Sequence, residues 1–356
     1  MEDTGTDPTR EILTTPRVAA YLRDGLAACG FDARALAGDG TLTRLTGGHS
    51  NLTYLLRFGT IELVLRRPPA GPLPPSAHDM AREYRWLTAL SPICPLVPKP
   101  YLLCEDHSVA GSVFYVMERR HGVVLRHDEP ARLAERPDER HRVSEALVDA
   151  LVDLHAVDIE AHHLSGMGKP QGFVARQVDG WTDRWHRAQT TPLPILDATA
   201  AWLAAHMPPD PPAPTIVHGD FKLDNVMLAD DDLAHVVAVL DWEMCALGDP
   251  LVDLGVLLAY WGPTAPPGYG DGATPFTERG GWLTRAGLIE RYVARSHRDV
   301  TDIQFYEVFA LFKVAIVVQQ LFIRYSRGDT TDPRFARFDA RVTYLAGRAA
   351  ACIEKA

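Results

Sequence analysis

Apolar residues recur at spacings of three and four over residues 141–157, where Val143, Leu147, Leu151 and Leu154 form one stripe. That period belongs to an amphipathic helix. Similar patterns predict helices over 16–28, opened by Pro16 and closed by Gly30, over 79–90, and over 249–261, 282–296, 301–325 and 333–353. Short β-like runs lie at 41–45, 52–58, 61–67, 99–104 and 112–117, and later at 215–217, 226–228 and 235–240. The proline-rich stretch from Pro68 to Pro75 cannot be regular structure. Strands thus cluster early and helices late. The expectation is an α+β chain of two lobes, residues 1–120 strand-rich and residues 121–356 mostly helical, with residues 1–12 disordered. No 20–50-residue repeat is visible, which argues against a solenoid.

Composition narrows the class. Of 356 residues, 46% are hydrophobic and 23% charged, which is globular and long enough for two lobes. A net charge of -10 argues against a nucleic-acid partner, whose footprint is basic. Cys29, Cys94, Cys104, Cys245 and Cys352 form no CxxC pair, so neither a disulfide framework nor a structural zinc site is expected. The polar, acidic first residues lack the apolar core of a signal peptide. The most apolar stretch, 305–323, is interrupted by Glu307, Lys313, Gln319 and Gln320. It reads as a core helix rather than a membrane span, and the chain as cytoplasmic and reduced. Oligomeric state is not legible.

The densest chemistry lies in Ile216-Val-His-Gly-Asp-Phe-Lys-Leu-Asp-Asn225, which contains His218, Asp220 and Asn225 as H-x-D-x4-N. A later apolar run leads to Asp241 in Leu240-Asp-Trp-Glu243. Phosphoryl transfer calls for such a set: one carboxylate directs the proton of the attacking hydroxyl, while a carboxamide and a second carboxylate hold Mg²⁺. Because Mg²⁺ keeps several waters, Asn225 and Asp241 would suffice as protein ligands. The chain has no H-E-x-x-H, G-x-S-x-G or Walker A lysine, so metalloprotease, hydrolase and P-loop readings lack support.

These residues resemble the aminoglycoside phosphotransferase-type small-molecule kinases, which have a bilobal protein-kinase-like fold. The resemblance implies ATP and Mg²⁺ as cofactors, Asp220 as catalytic base, Asn225 and Asp241 as metal ligands, His218 as a brace of the catalytic loop and Lys222 near the γ-phosphate. It extends into the first lobe. Thr46-Gly-Gly-His-Ser-Asn-Leu-Thr-Tyr54 stands where a phosphate-covering loop belongs, with Gly47 and Gly48 permitting close approach and Ser50 and Asn51 offering donors. Arg66 takes the place of the strand lysine that pairs the α/β-phosphates, although a guanidinium is not equivalent to an ammonium. Glu83 would be its acidic partner on the next helix. Met117, Glu118 and Arg119 resemble the adenine-reading hinge between lobes, and Asp253 the acid that steadies the catalytic loop.

Leu65-Arg-Arg-Pro-Pro69, Val116-Met-Glu-Arg-Arg-His-Gly122 and the helix around Phe309-Ala-Leu-Phe-Lys-Val-Ala315 look like the kinase-like domains associated with acyl-CoA dehydrogenases. That implies a small-molecule hydroxyl acceptor such as a hydroxy acid or hydroxyacyl-CoA, with Arg119, Arg120, Arg126 and Arg324 available to an anionic one. An aminoglycoside or other antibiotic is the second acceptor class, and choline or homoserine the third. A non-catalytic nucleotide-binding module is the contrasting class. Arg66 favours it, and the intact Asp220, Asn225 and Asp241 argue against it.

Overall fold

The computed structural model describes residues 13–38, 40–45, 51–69, 79–269, 274–330 and 332–355. The disorder expected of residues 1–12 and the loop residues Gly47, Gly48 and Ser50 lie outside that set. The chain divides into two compact units, one of residues up to His121 together with Ala238–Met244, the other of Gly122–Val237 and Cys245–Ala356.

The first unit contains helix α1 (Pro16–Ala28), strands β1 (Thr41–Arg44), β2 (Leu52–Phe58) and β3 (Ile61–Arg67), helix α2 (Met80–Leu90), and strands β4 (Pro100–Cys104) and β5 (Phe114–Glu118). The strands form one antiparallel sheet in the order β1-β2-β3-β5-β4. Side chains alternate across a strand, so register decides which residues share a face. Leu63 and Leu65, with Tyr54, Leu56, Phe114 and Val116, join the core cluster containing Val18, Leu22 and Leu26 of α1. The opposite parity carries Val64, Arg66, Tyr115 and Met117, with Arg66 paired to Tyr115 and Val64 to Met117. That face meets α2, whose Tyr84 ring lies edge-on 6.1 Å from Tyr115 and whose Glu83 reaches Arg66. Coverage on both faces explains why β3 reads as an apolar run rather than an alternating one. Helix α2 begins where Asp79 accepts the Arg82 amide at 2.9 Å.

The second unit holds β6 (Val123–Val124), α3 (Pro137–His155), α4 (Phe173–Ala188), α5 (Pro194–Ala205), β7 (Thr215–Val217), β8 (Val226–Leu228), β10 (Ala246–Gly248), α6 (Leu251–Tyr260), α7 (Arg285–Ser296), α8 (Ile303–Ser326) and α9 (Phe338–Ile353). Strand β9 (Val236–Val239) is where the chain passes back into the first unit. Helix α8 is central and packs on α4, α5, α6 and α9. Among the described residues it is the one helix long and apolar enough to cross a membrane, and 72% of its most apolar window is buried inside the protein. It packs as a core helix.

Helices α4 and α5 are absent from the sequence reading, which leaves 161–214 without assigned structure. Helix α4 buries one stripe containing Val174, Val178, Trp181 and Trp185, and the alanine-rich α5 buries Leu196 and Leu203. The helix expected over 333–353 begins with a tighter 3₁₀ turn, Pro333–Arg337, after which α9 proper starts at Phe338.

Candidate active site

In the second unit the loop from His218 to Asn225 is strung between two short strand pairs, β7 with β10 and β8 with β6. The buried carboxylate of Asp253, on the first turn of α6, fastens its start by accepting the His218 amide at 2.6 Å and the Gly219 amide at 2.7 Å. His155 Nε2 lies 3.2 Å from the same carboxylate, and its Nδ1 is 2.9 Å from the Tyr292 hydroxyl. Burial alone would raise the Asp253 carboxyl, but the contacts with His155 and His218 outweigh it and hold the group below its ordinary 3.8. Gly219 takes φ +83°, a conformation that side chains rarely adopt. The Asp220 amide then donates to His218 Nδ1 at 3.2 Å, which leaves the proton of a neutral imidazole on Nε2.

Lys222 Nζ donates to Asp220 Oδ2 at 2.8 Å, and Asn225 Nδ2 donates to the same oxygen at 2.9 Å and to the Asp220 carbonyl at 2.9 Å. One carboxylate oxygen is therefore committed. Asp220 Oδ1 and Asn225 Oδ1 take no hydrogen bond among the described residues. The Lys222 ammonium lies 4.6 Å from the centre of the Tyr260 ring and 3.9 Å from Asp224. Burial opposes its charge, yet the Asp220 and Asp224 carboxylates raise its pKa well above the usual lysine value. It is a fixed cation.

The first unit assembles a second group. Arg66 Nη1 lies 3.1 Å from Glu83 and Arg66 Nη2 2.6 Å from Asp241 Oδ1, so one guanidinium spans two carboxylates. Burial alone would lower the Arg66 pKa, but Glu83 and then Asp241 raise it well above the ordinary value. Burial raises Glu83 in spite of Arg66, and it raises the neighbouring Tyr115 phenol. Asp241 sits at φ +67°, uncommon for a residue with a side chain and a mark of functional positions. The segment after it is pinned: Asn51 Nδ2 donates to Glu243 Oε2 at 2.8 Å, and Arg82 donates to the Glu243 carbonyl at 2.7 Å.

The expected Arg66–Glu83 pair is present, and Asp241 joins it. Asn51 meets Glu243. Met117 and Glu118 end strand β5 and Arg119 follows it; the Glu118 amide is spent on the Lys99 carbonyl at 2.8 Å, and Arg119 lies 3.4 Å from Glu62. Arg120 is likewise engaged, at 3.0 Å from Glu118. Among the described residues no three His, Cys, Asp or Glu side chains converge as a metal cluster. Magnesium needs fewer protein ligands, because it keeps waters and takes phosphate oxygens. Asn225 Oδ1 in the second unit and the Asp241 carboxylate in the first are each hard oxygen donors of the kind it takes.

Comparison with known proteins decides the family. Residues 41–288 match the phosphotransferase enzyme family, a span containing Arg66, Glu83, Asp220, Lys222, Asn225, Asp241 and Asp253. The chain belongs to that family. Among its phosphotransferase relatives is a Ralstonia eutropha JMP134 protein provisionally named an aminoglycoside phosphotransferase, 30% identical with a TM-score of 0.76, covering 100% of this chain and 99% of that one. Mouse acyl-CoA dehydrogenase family member 10 is 33% identical over 92% of the chain, and human family member 11 is 34% identical over 88%. The chain spans only 30% and 39% of the length of those two relatives. An aminoglycoside phosphotransferase in ternary complex with AMP-PNP and hygromycin B shares the fold, with a TM-score of 0.56 at 18% identity over 88% of this chain and 93% of that one. The small-molecule kinase fold expected of this phosphotransferase is thus present.

Tyr115, Tyr260, His155 and Lys313 escape the sequence reading. Tyr115 and Tyr260 look like core aromatics in apolar runs. A lysine inside the apolar stretch 305–323 is visible, but its target is not.

Proposed function

We propose that the chain transfers the γ-phosphate of ATP to a hydroxyl of a small molecule. The observation that carries the proposal is the divided carboxylate of Asp220: one oxygen is held by Lys222 and Asn225, and the other is uncommitted among the described residues. Such a group has a fixed orientation and one oxygen left to accept the hydroxyl proton, which is the task of the base in phosphoryl transfer. Lys222, charged throughout the physiological range, steadies negative charge developing beside it. Arg66 offers its guanidinium to phosphate oxygens, and Met117, Glu118 and Arg119 provide the strand end that reads adenine. Asn225 and Asp241 are the residues that would hold Mg²⁺, which when bound neutralises charge on the phosphate oxygens.

For the acceptor we favour a hydroxy acid or hydroxyacyl-CoA. The support is the likeness to acyl-CoA dehydrogenase family members 10 and 11, at 33% and 34% identity. An antibiotic acceptor is the second reading, favoured by the provisional name of the Ralstonia protein. The test is a MgATP screen of hydroxy acids, hydroxyacyl-CoAs, aminoglycosides, macrolides and choline, read by mass spectrometry. A gain of about 80 Da, one phosphoryl group, on an acyl acceptor supports the first reading. The same gain confined to a drug supports the second. MgATP binding with neither transfer nor hydrolysis would defeat the kinase reading and leave a non-catalytic module.

A further inference from the structure

Helix α8 carries an ammonium where its neighbours are apolar. Lys313 is 4% exposed, flanked by Phe312 and Val314, which are also buried. Burying a cation is costly unless it is paired with polar groups. A carbonyl and an aromatic ring are among the groups that meet this one. Its Nζ donates to the carbonyl oxygen of Gly219, and it lies 5.7 Å from the centre of the buried Trp181 ring on α4.

The carbonyl matters because of the peptide it belongs to. The Gly219–Asp220 peptide unit carries the Gly219 oxygen on one edge and the Asp220 amide on the other. Lys313 holds the oxygen, and His218 Nδ1 accepts the amide proton at 3.2 Å. The Gly219 amide, one peptide earlier, is held at 2.7 Å by Asp253. At φ +83°, glycine has the widest choice of backbone conformations in the chain, so this is where the loop most needs an external restraint.

We infer that Lys313 is a positioning residue of the phosphotransferase: its buried ammonium fixes the plane of the Gly219–Asp220 peptide and thereby the aim of the Asp220 carboxylate. The inference rests on the reading of Asp220 as the base. Lys313 lies beyond residues 41–288, the span that matches the family, so it acts on the loop from the helical part of the chain outside that span. Displacement of a reacting group by about 1 Å costs on the order of a hundredfold in rate, so a loosened peptide plane reads out in turnover more than in nucleotide binding.

The test uses the full chain with MgATP and water as acceptor, following phosphate release and melting temperature. Lys313→Met keeps the length and apolar stem but removes the ammonium. The expected result is a kcat lower by about 10- to 100-fold, with KM for MgATP unchanged within about twofold and a melting temperature shifted by only a few degrees. Lys313→Arg, which restores a cationic donor, is expected to recover most of the loss. Wild-type kcat in Lys313→Met overturns the inference, as does a fall in kcat matched by an equal rise in KM. If Lys313→Met does not fold, Lys313→Arg decides alone: turnover above about a tenth of wild type supports the inference, and a folded but inactive arginine variant overturns it. Asp220→Asn is run alongside. Undiminished turnover there defeats the reading of Asp220 itself, whereas an inactive Asp220→Asn beside a fully active Lys313→Met defeats only the role of Lys313.

Discussion

Arg66 shows how one side chain can settle two questions at once. Its two terminal nitrogens engage different carboxylates, Glu83 at 3.1 Å and Asp241 at 2.6 Å. A lysine, a single point charge, cannot reproduce that fork. Arg66→Lys is therefore expected to weaken MgATP binding by about tenfold while the protein stays folded, measured by calorimetric titration. Arg66→Ala leaves Glu83 buried without its cation and is expected to cost about 3–5 kcal/mol in denaturant unfolding. Asp253 gives a prediction with a pH sign. Its folded carboxyl is held below 3.8, so its contribution is fully present above that value and is lost as pH falls through the lower folded one. At neutral pH, Asp253→Asn is expected to cost about 2–4 kcal/mol, since it weakens charged hydrogen bonds to two buried amides. The gap between wild type and variant should close below pH 3.8 in urea melts recorded against pH.

Among the elements, α6 and α8 fit closely. A Cβ on Gly255 would stand 2.4 Å from the backbone oxygen of Tyr306, so glycine is what lets the two helices meet. Alanine is the better helix former by about 1 kcal/mol, yet Gly255→Ala is expected to destabilise by about 1–3 kcal/mol, because a backbone atom cannot step aside. Thermal unfolding of the variant checks this. The same elements show what the sequence made legible. Strands β2 and β3 follow from short, largely apolar runs, and α3 from its stripe at spacings of three and four. The His218–Asn225 loop is marked by its own residue types. Helix α4 does carry a stripe at spacings of four and three, Val174, Val178, Trp181, Trp185 and Ala188, which the sequence reading passed over, whereas α5 is alanine-rich and offers little contrast between its faces. The grip of Lys313 on Gly219 was not legible, because a contact 94 residues apart leaves no local signal. Arg66 was paired with Glu83 from sequence, but Asp241 as its second partner follows only from the fold.

The whole chain distributes its chemistry over two units: Asp220, Lys222 and Asn225 in one, and Arg66, Glu83 and Asp241 in the other. One is built around a carboxylate with one oxygen uncommitted among the described residues, the other around a buried cation shared by two carboxylates. Under the proposed reading, one group serves the hydroxyl and the other the nucleotide. The claim on which everything else depends is that Asp220 is the base. The most direct measurement is Asp220→Asn, assayed for MgATP-dependent phosphoryl transfer and, in parallel, for MgATP binding by calorimetry. The predicted result is a fall in kcat of about 10²- to 10⁴-fold, with the MgATP dissociation constant changed by no more than a few-fold. Turnover at the wild-type rate in that variant would contradict the account.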